Sequence, residues 1–195
     1  MTSRTLSIIL AGVLPFISPL ALGQQVAQPA YEKEDISSFR GTADSLPGAI
    51  SKIEAGTGGK VIEIRYSSGG GMPGYHVVVA KGGQVQFMHL EAQSGKLTTT
   101  QENTVPVAML KWRGKADVSF AEKAKVPLST AIQTAQQADG NSPAIAAGIA
   151  RSASNPDSDV HAYNVLIVRD GNVQRRAVDS DTGEVIADPS ALSAF

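Results

Sequence analysis

The chain has no cysteine, which excludes disulfides, thiolate metal sites, thiol nucleophiles and lipid attachment at a processed cysteine. It has little net charge: 17 basic against 18 acidic residues give −1, too weak a field to hold a polyanion, so nucleic acid is not an expected partner. Aromatic residues make up 5%, with a single tryptophan. Long apolar runs are missing except at the start, where Arg4 precedes a largely apolar stretch from Leu6 to Leu22 that ends in Ala21-Leu22-Gly23. A charged n-region, an apolar core and small residues at its end are the parts of a signal peptide, expected to span 1–23. Pro15 and Pro19 make the same run a poor membrane span, so no stable membrane insertion is expected after cleavage. The expected location is periplasmic or secreted.

What is present is ordinary for a globular protein: 42% hydrophobic and 18% charged residues over 195 positions. Residues 24–35 are rich in Gln, Ala, Pro and charge and read as a flexible leader. Leu46, Ala49, Ile50 and Ile53 follow the i, i+3, i+4, i+7 spacing of one helix stripe, with Asp44 or Ser45 as cap and Pro47 in the first turn. Gly56 to Gly59 ends that helix, and Lys60–Tyr66 alternates as a strand with one wet face. Tyr75–Ala80 and Val85–Glu91 read as a hairpin about Lys81-Gly82-Gly83-Gln84, with a further turn at Gln93–Lys96.

The same signals return. The helical stripe recurs 82 positions later as Leu128, Ala131, Ile132 and Ala135; the hairpin recurs 88 positions later, with Tyr163 for Tyr75, Asp170-Gly171 for Gly82-Gly83, and Val178 for Leu90. The extra residues fall between Ala135 and Tyr163, where Asp139–Pro143 and Ser152–Asp159 have loop composition. Within that stretch Pro143–Arg151 fits either a weak strand or a short helix. Between the repeats, Val105–Trp112 is expected as a strand, and Ser119-Phe120-Ala121-Glu122 has capping-box spacing. Lys111-Trp112-Arg113-Gly114-Lys115 puts the one tryptophan among cations, which suits packing between the repeats or anchoring a partner.

A helix, strands bearing Tyr163, Val165 and Ile167, a turn at Asp170-Gly171, and the run Val178-Asp179-Ser180-Asp181-Thr182-Gly183-Glu184-Val185 together resemble the PepSY domain. The first repeat is similar, but Leu90-Glu91-Ala92-Gln93-Ser94-Gly95-Lys96-Leu97 lacks the aspartates of that final turn. The resemblance implies an α+β fold of two tandem units, each one helix on a small antiparallel β-sheet. The expected division is 36–100 for the first PepSY-like unit, 101–115 for a connector and 116–195 for the second. PepSY domains occur in propeptides of thermolysin-type proteases and in exported bacterial proteins. The function implied is a non-catalytic module that binds a protein or peptide, with a peptidase as the specific partner to test. The alternatives are an envelope structural or stress interaction protein, and an enzyme whose unrecognised site lies between the units.

No catalytic, cofactor-binding or metal-binding residue is assigned. Asp179–Glu184 lacks the later ligands of a calcium loop and reads as an Asp-capped turn with Gly183 at positive φ. Gly56-Thr57-Gly58-Gly59-Lys60 is followed by Val61 and a strand, where a phosphate loop needs Ser or Thr and a helix. His76, His89 and His161 occupy unrelated positions of the repeat and are expected to be exposed or half-buried, apart from one another. Neither His-Glu-x-x-His nor Gly-x-Ser-x-Gly occurs.

Overall fold

The structure, a computed structural model, describes residues 31, 33–39, 46–69, 73–99, 105–106, 112–152 and 162–193. The expected signal peptide, the caps Asp44 and Ser45, and His161 lie outside the described residues. Among the described residues, four α-helices and ten strands follow in the order α1 (Lys33–Phe39), α2 (Leu46–Thr57), β1 (Lys60–Ser67), β2 (Gly74–Lys81), β3 (Gln84–Glu91), β4 (Leu97–Thr99), β5 (Val105–Pro106), α3 (Trp112–Lys123), α4 (Leu128–Ala138), β6 (Ala144–Ser152), β7 (Ala162–Arg169), β8 (Asn172–Asp179), β9 (Val185–Ile186) and β10 (Leu192–Ser193). The fold is α+β.

The sheet is one continuous antiparallel surface of order β4-β3-β2-β1-β6-β7-β8-β9. Its halves meet where β1 pairs with β6, through Glu63↔Gly148, Ile64↔Ala147 and Arg65↔Ala146. Separate small sheets were the expectation. Edge-to-edge joining instead hides the inner edge of each half and lets both share one apolar face. Pro143–Arg151 resolves as strand: β6 is alanine-rich, yet Ile145 and Ile149 are buried and its small side chains fit between β1 and β7.

Helices α2 and α4 lie side by side on that face. All eight stripe residues, Leu46, Ala49, Ile50, Ile53, Leu128, Ala131, Ile132 and Ala135, are buried against Val61, Ile64, Tyr66, Tyr75, Val77, Tyr163, Val165 and Ile167. At about 1.5–3 kcal/mol for each large aliphatic side chain removed from water, this stripe-on-sheet contact is the main source of cohesion. Aromatic rings brace each half. Phe39, Tyr66 and Tyr75 stack edge-to-face at 5.4 and 5.5 Å, and Phe120 meets Tyr163 at 5.4 Å.

Three local expectations are corrected. Helix α1 begins at Lys33, inside the stretch read as leader, because Asp35 Oδ1 accepts hydrogen bonds from Ser68 N and Oγ at 2.7 and 2.6 Å and Phe39 is buried on Tyr66. Of the strand expected over Val105–Trp112, β5 holds Val105–Pro106, residues 107–111 lie outside the described residues, and Trp112 opens α3 instead. Ser119–Glu122 lies within α3, so its capping-box spacing marks no helix start; α4 starts after Pro127 without a side-chain cap.

Candidate functional site

Both hairpins turn through two residues at positive φ, Gly82 (55°) and Gly83 (73°) in the first, Asp170 (50°) and Gly171 (79°) in the second. That conformation fixes the register, with Lys81↔Gln84 and Arg169↔Asn172 closing the ladders. In an antiparallel ladder the main chain of alternate residues then points away from the partner strand. On β3 these are Val85, Phe87, His89 and Glu91; on β8 they are Val173, Arg175, Ala177 and Asp179. The hydrogen bonds Glu91 N to Lys96 O (3.0 Å) and Asp179 N to Glu184 O (2.9 Å) match this phase.

The two outer edges differ in cover. β4 pairs with Met88–Leu90 and β5 with Gln84–Val85, so nearly all of β3 is closed. β9 pairs only with Ala177 and Val178 of β8. Among the described residues no strand covers Asn172–Arg176, and Val173 and Arg175 direct main-chain N–H and C=O groups outward there. The outward Arg175 carbonyl accepts from the Arg176 guanidinium at 3.2 Å.

Side chains at this edge are held from both faces of the sheet. On the helix face Arg176 donates to Asp139 Oδ1 at 2.6 Å and to Gln174 Oε1 at 3.1 Å, and Arg169 reaches the same Asp139 oxygen at 3.4 Å. Asp139 caps the C-terminus of α4, where a negative charge opposes the helix dipole; its side chain is 1% exposed and the two arginines compensate it. On the other face Arg175 donates to the carbonyls of Leu192 (2.8 Å) and Pro189 (2.9 Å). These belong to a C-terminal strap. Asp188 Oδ1 accepts from Ser190 N at 2.9 Å, and hydrogen bonding from the Ser190 side chain first, then from its main-chain N–H, holds the carboxyl below the usual range. Leu192 packs on Ala150, Ala162 and Ala177, and β10 pairs with β6.

The sequence-level candidates fall elsewhere. Asp179–Glu184 forms the Asp-capped turn: Asp179 Oδ1 accepts from the main-chain N–H groups of Asp181 and Thr182, both at 2.8 Å, and Gly183 has φ 77°. Gly56–Lys60 closes α2, with Thr57 Oγ1 donating to Ile53 O and accepting from Gly59 N. His76 and His89 are not apart, as the repeat phase implied, but directly opposite across β2 and β3, with ring centroids 5.2 Å apart. They are equidistant from the Gly82-Gly83 turn, which was the signal to read. His89 is 5% exposed, and burial followed by the neighbouring His76 pushes its pKa below the ordinary histidine value. No group of three or more His, Asp or Glu suited to a metal occurs among the described residues.

Between the halves lies a cavity of about 50 Å³ lined by Glu54, Lys60, Ala124, Pro127 and Tyr163 among others, room for a water or two. The Tyr163 hydroxyl donates to Val126 O at 2.9 Å, and burial, with Glu54 adding to it, pushes its pKa up to about 12.

Residues 125–188, which run from the loop before α4 through β9, match the PepSY family, described as peptidase propeptide and YPEB domain. This stretch is similar to the PepSY domain. It contains the open edge of β8 together with Asp139, Arg169, Arg175 and Arg176. No curated protein matches the chain. Among solved structures, a candidate lipoprotein from Clostridium difficile 630 is 16% identical, with 74% of this chain and 91% of that chain covered and a TM-score of 0.42. No helix among the described residues is long and apolar enough to cross a membrane.

Proposed function

We propose that the chain is an exported, non-catalytic binding protein of two tandem PepSY-like units, residues 36–100 and 116–195 joined by 101–115, whose second unit captures a protein partner by strand addition at β8. The observation that carries this reading is the stretch Asn172–Arg176, open among the described residues, in a sheet whose other outer edge is nearly closed. Unpaired strand edges are aggregation hazards unless they are blunted or used. Here two copies of β8 would gather the positive charges of Arg175 and Arg176 from both chains at one short edge, which disfavours self-pairing and leaves a different partner free to add. An incoming extended segment supplies the missing main-chain hydrogen bonds. The family description points to a peptidase as that partner, held without chemistry by this chain. Export is supported by the signal-peptide features of residues 1–23.

The test is capture from the native envelope with wild-type and Val173→Pro proteins. Proline removes an outward N–H and leaves the β7·β8 ladder in place. A peptidase held and slowed by wild type, and released by Val173→Pro, is the expected result. Capture of non-peptidase envelope proteins alone makes this an envelope interaction protein; capture indifferent to Val173→Pro removes strand addition.

A further inference from the structure

Resting on the strand-addition reading, we infer that the segment accepted by β8 is acidic, with Asp or Glu at alternate positions on its helix-facing side. The open stretch Asn172-Val173-Gln174-Arg175-Arg176 carries two arginines and no acid. The Arg175 guanidinium is held by two neutral carbonyls, of Leu192 and Pro189, so its hydrogen bonds are satisfied while its charge is not neutralised by them. Arg176 and Arg169 share the single Asp139 oxygen that both approach. The other carboxylate at this end, Asp170, reaches Arg169 only at 3.8 Å and is 90% exposed, where screening by water makes the pair weak. Asp188, in the strap, is committed to the main chain of its own turn.

Register turns this charge into a sequence preference. An antiparallel segment added to β8 bonds to the main chain of Val173 and Arg175, so its residues opposite Gln174 and Arg176 project to the helix face. Directly opposed and diagonal side chains on one face of a sheet lie within reach of long side chains, so carboxylates at those two positions meet Arg176. Desolvated against the added strand, a guanidinium already aligned by Asp139 and Gln174 binds a second carboxylate at little further ordering cost. The corresponding part of β3 offers Phe87 and Met88 in place of Arg175 and Arg176, and no such selectivity.

The probe is a random octapeptide phage library selected on the immobilised protein, followed by fluorescence anisotropy of the best peptide and its Glu/Asp→Gln/Asn analogue. The expected result is enrichment of acids at alternate positions, loss of binding with Val173→Pro, and at least ~10-fold weaker binding of the amide analogue, as for a charge-assisted contact. Asp139→Asn/Arg176→Gln, which removes the buried carboxylate together with its partner, should shrink that discrimination to about threefold or less. The peptide pair on wild type decides the matter even where this variant folds poorly. Peptides that need the edge but show no acidic excess, or bind equally as amides, overturn the acidic preference and leave strand addition standing. Peptides that bind Val173→Pro undiminished overturn both.

Discussion

After β4 and after β9 the chain faces the same choice and takes opposite paths. In the first half it returns to the sheet edge, where β5 pairs with Gln84 and Val85. In the second half it crosses the face away from the helices, where Leu192 packs on Ala150, Ala162 and Ala177 and β10 pairs with β6. The small side chains explain the second path: Ala162 and Ala177 leave room for a strap, whereas at the equivalent places of the first half Gly74 is filled over by His89. The consequence is an asymmetry of the edges. The chain itself nearly closes one edge, and among the described residues no strand covers Asn172–Arg176 of the other. The two halves thus differ less in their cores than in what covers their edges and faces.

The sharpest way to break this comparison is at the two helix C-termini. Asp139 with Arg169 occupies the place of Thr57 with Lys81, whose ammonium donates to the Thr57 carbonyl. Arg176→Ala should cost about 2–3 kcal/mol in urea unfolding, somewhat below a fully buried pair because Arg176 is 32% exposed, while Lys81→Ala should cost within about 0.5 kcal/mol. Equal losses would mean that the two clamps are alike. Next, Leu192→Ala should cost about 2 kcal/mol, near the low end for a buried leucine because the strap is thin. If stability were unchanged, the strap would not be what seals that face.

Gly74→Ala should destabilise by about 1–2 kcal/mol by overpacking, since a Cβ there would lie 2.3 Å from Leu90 O and 2.7 Å from His89 Nε2, and adding His89→Ala should recover part of the loss. Tolerance of Gly74→Ala alone would show that the first half can open to the geometry of Ala162. The smallest effect concerns pH. His89 is held below its unfolded value of about 6.5, so as pH falls through that value the unfolded chain takes up a proton that the folded chain resists. Stability should therefore decline below about pH 6.5, level off below the folded pKa, and lose this component in His89→Asn. A slope unchanged by that substitution would assign it to other groups.

Much of the architecture was legible because it rests on periodicity. Helix stripes and hairpin turns depend on local spacing, and all eight stripe residues are buried. β6 was ambiguous because alanine fits helix and strand alike, and its strand state comes from β1 and β7 on either side. α1 was missed because a seven-residue helix is held by Ser68 and Tyr66, distant in sequence. The candidate site was the least legible part. Nothing in Asn172–Arg176 distinguishes an open edge from a covered one, since cover depends on where the residues after β9 travel. Asp139 reads as loop, and its pairing with Arg176 appears only once α4 lies over β8.

Amide hydrogen exchange, read residue by residue by NMR on the folded protein without a partner, tests the asymmetry of the two edges most directly. The account predicts fast exchange at Val173 and Arg175 and protection at Val85 and His89, which hold the same phase on the closed edge. Protection of Val173 and Arg175 equal to that of Val85 and His89 would show that the second edge is covered and would contradict strand addition at β8.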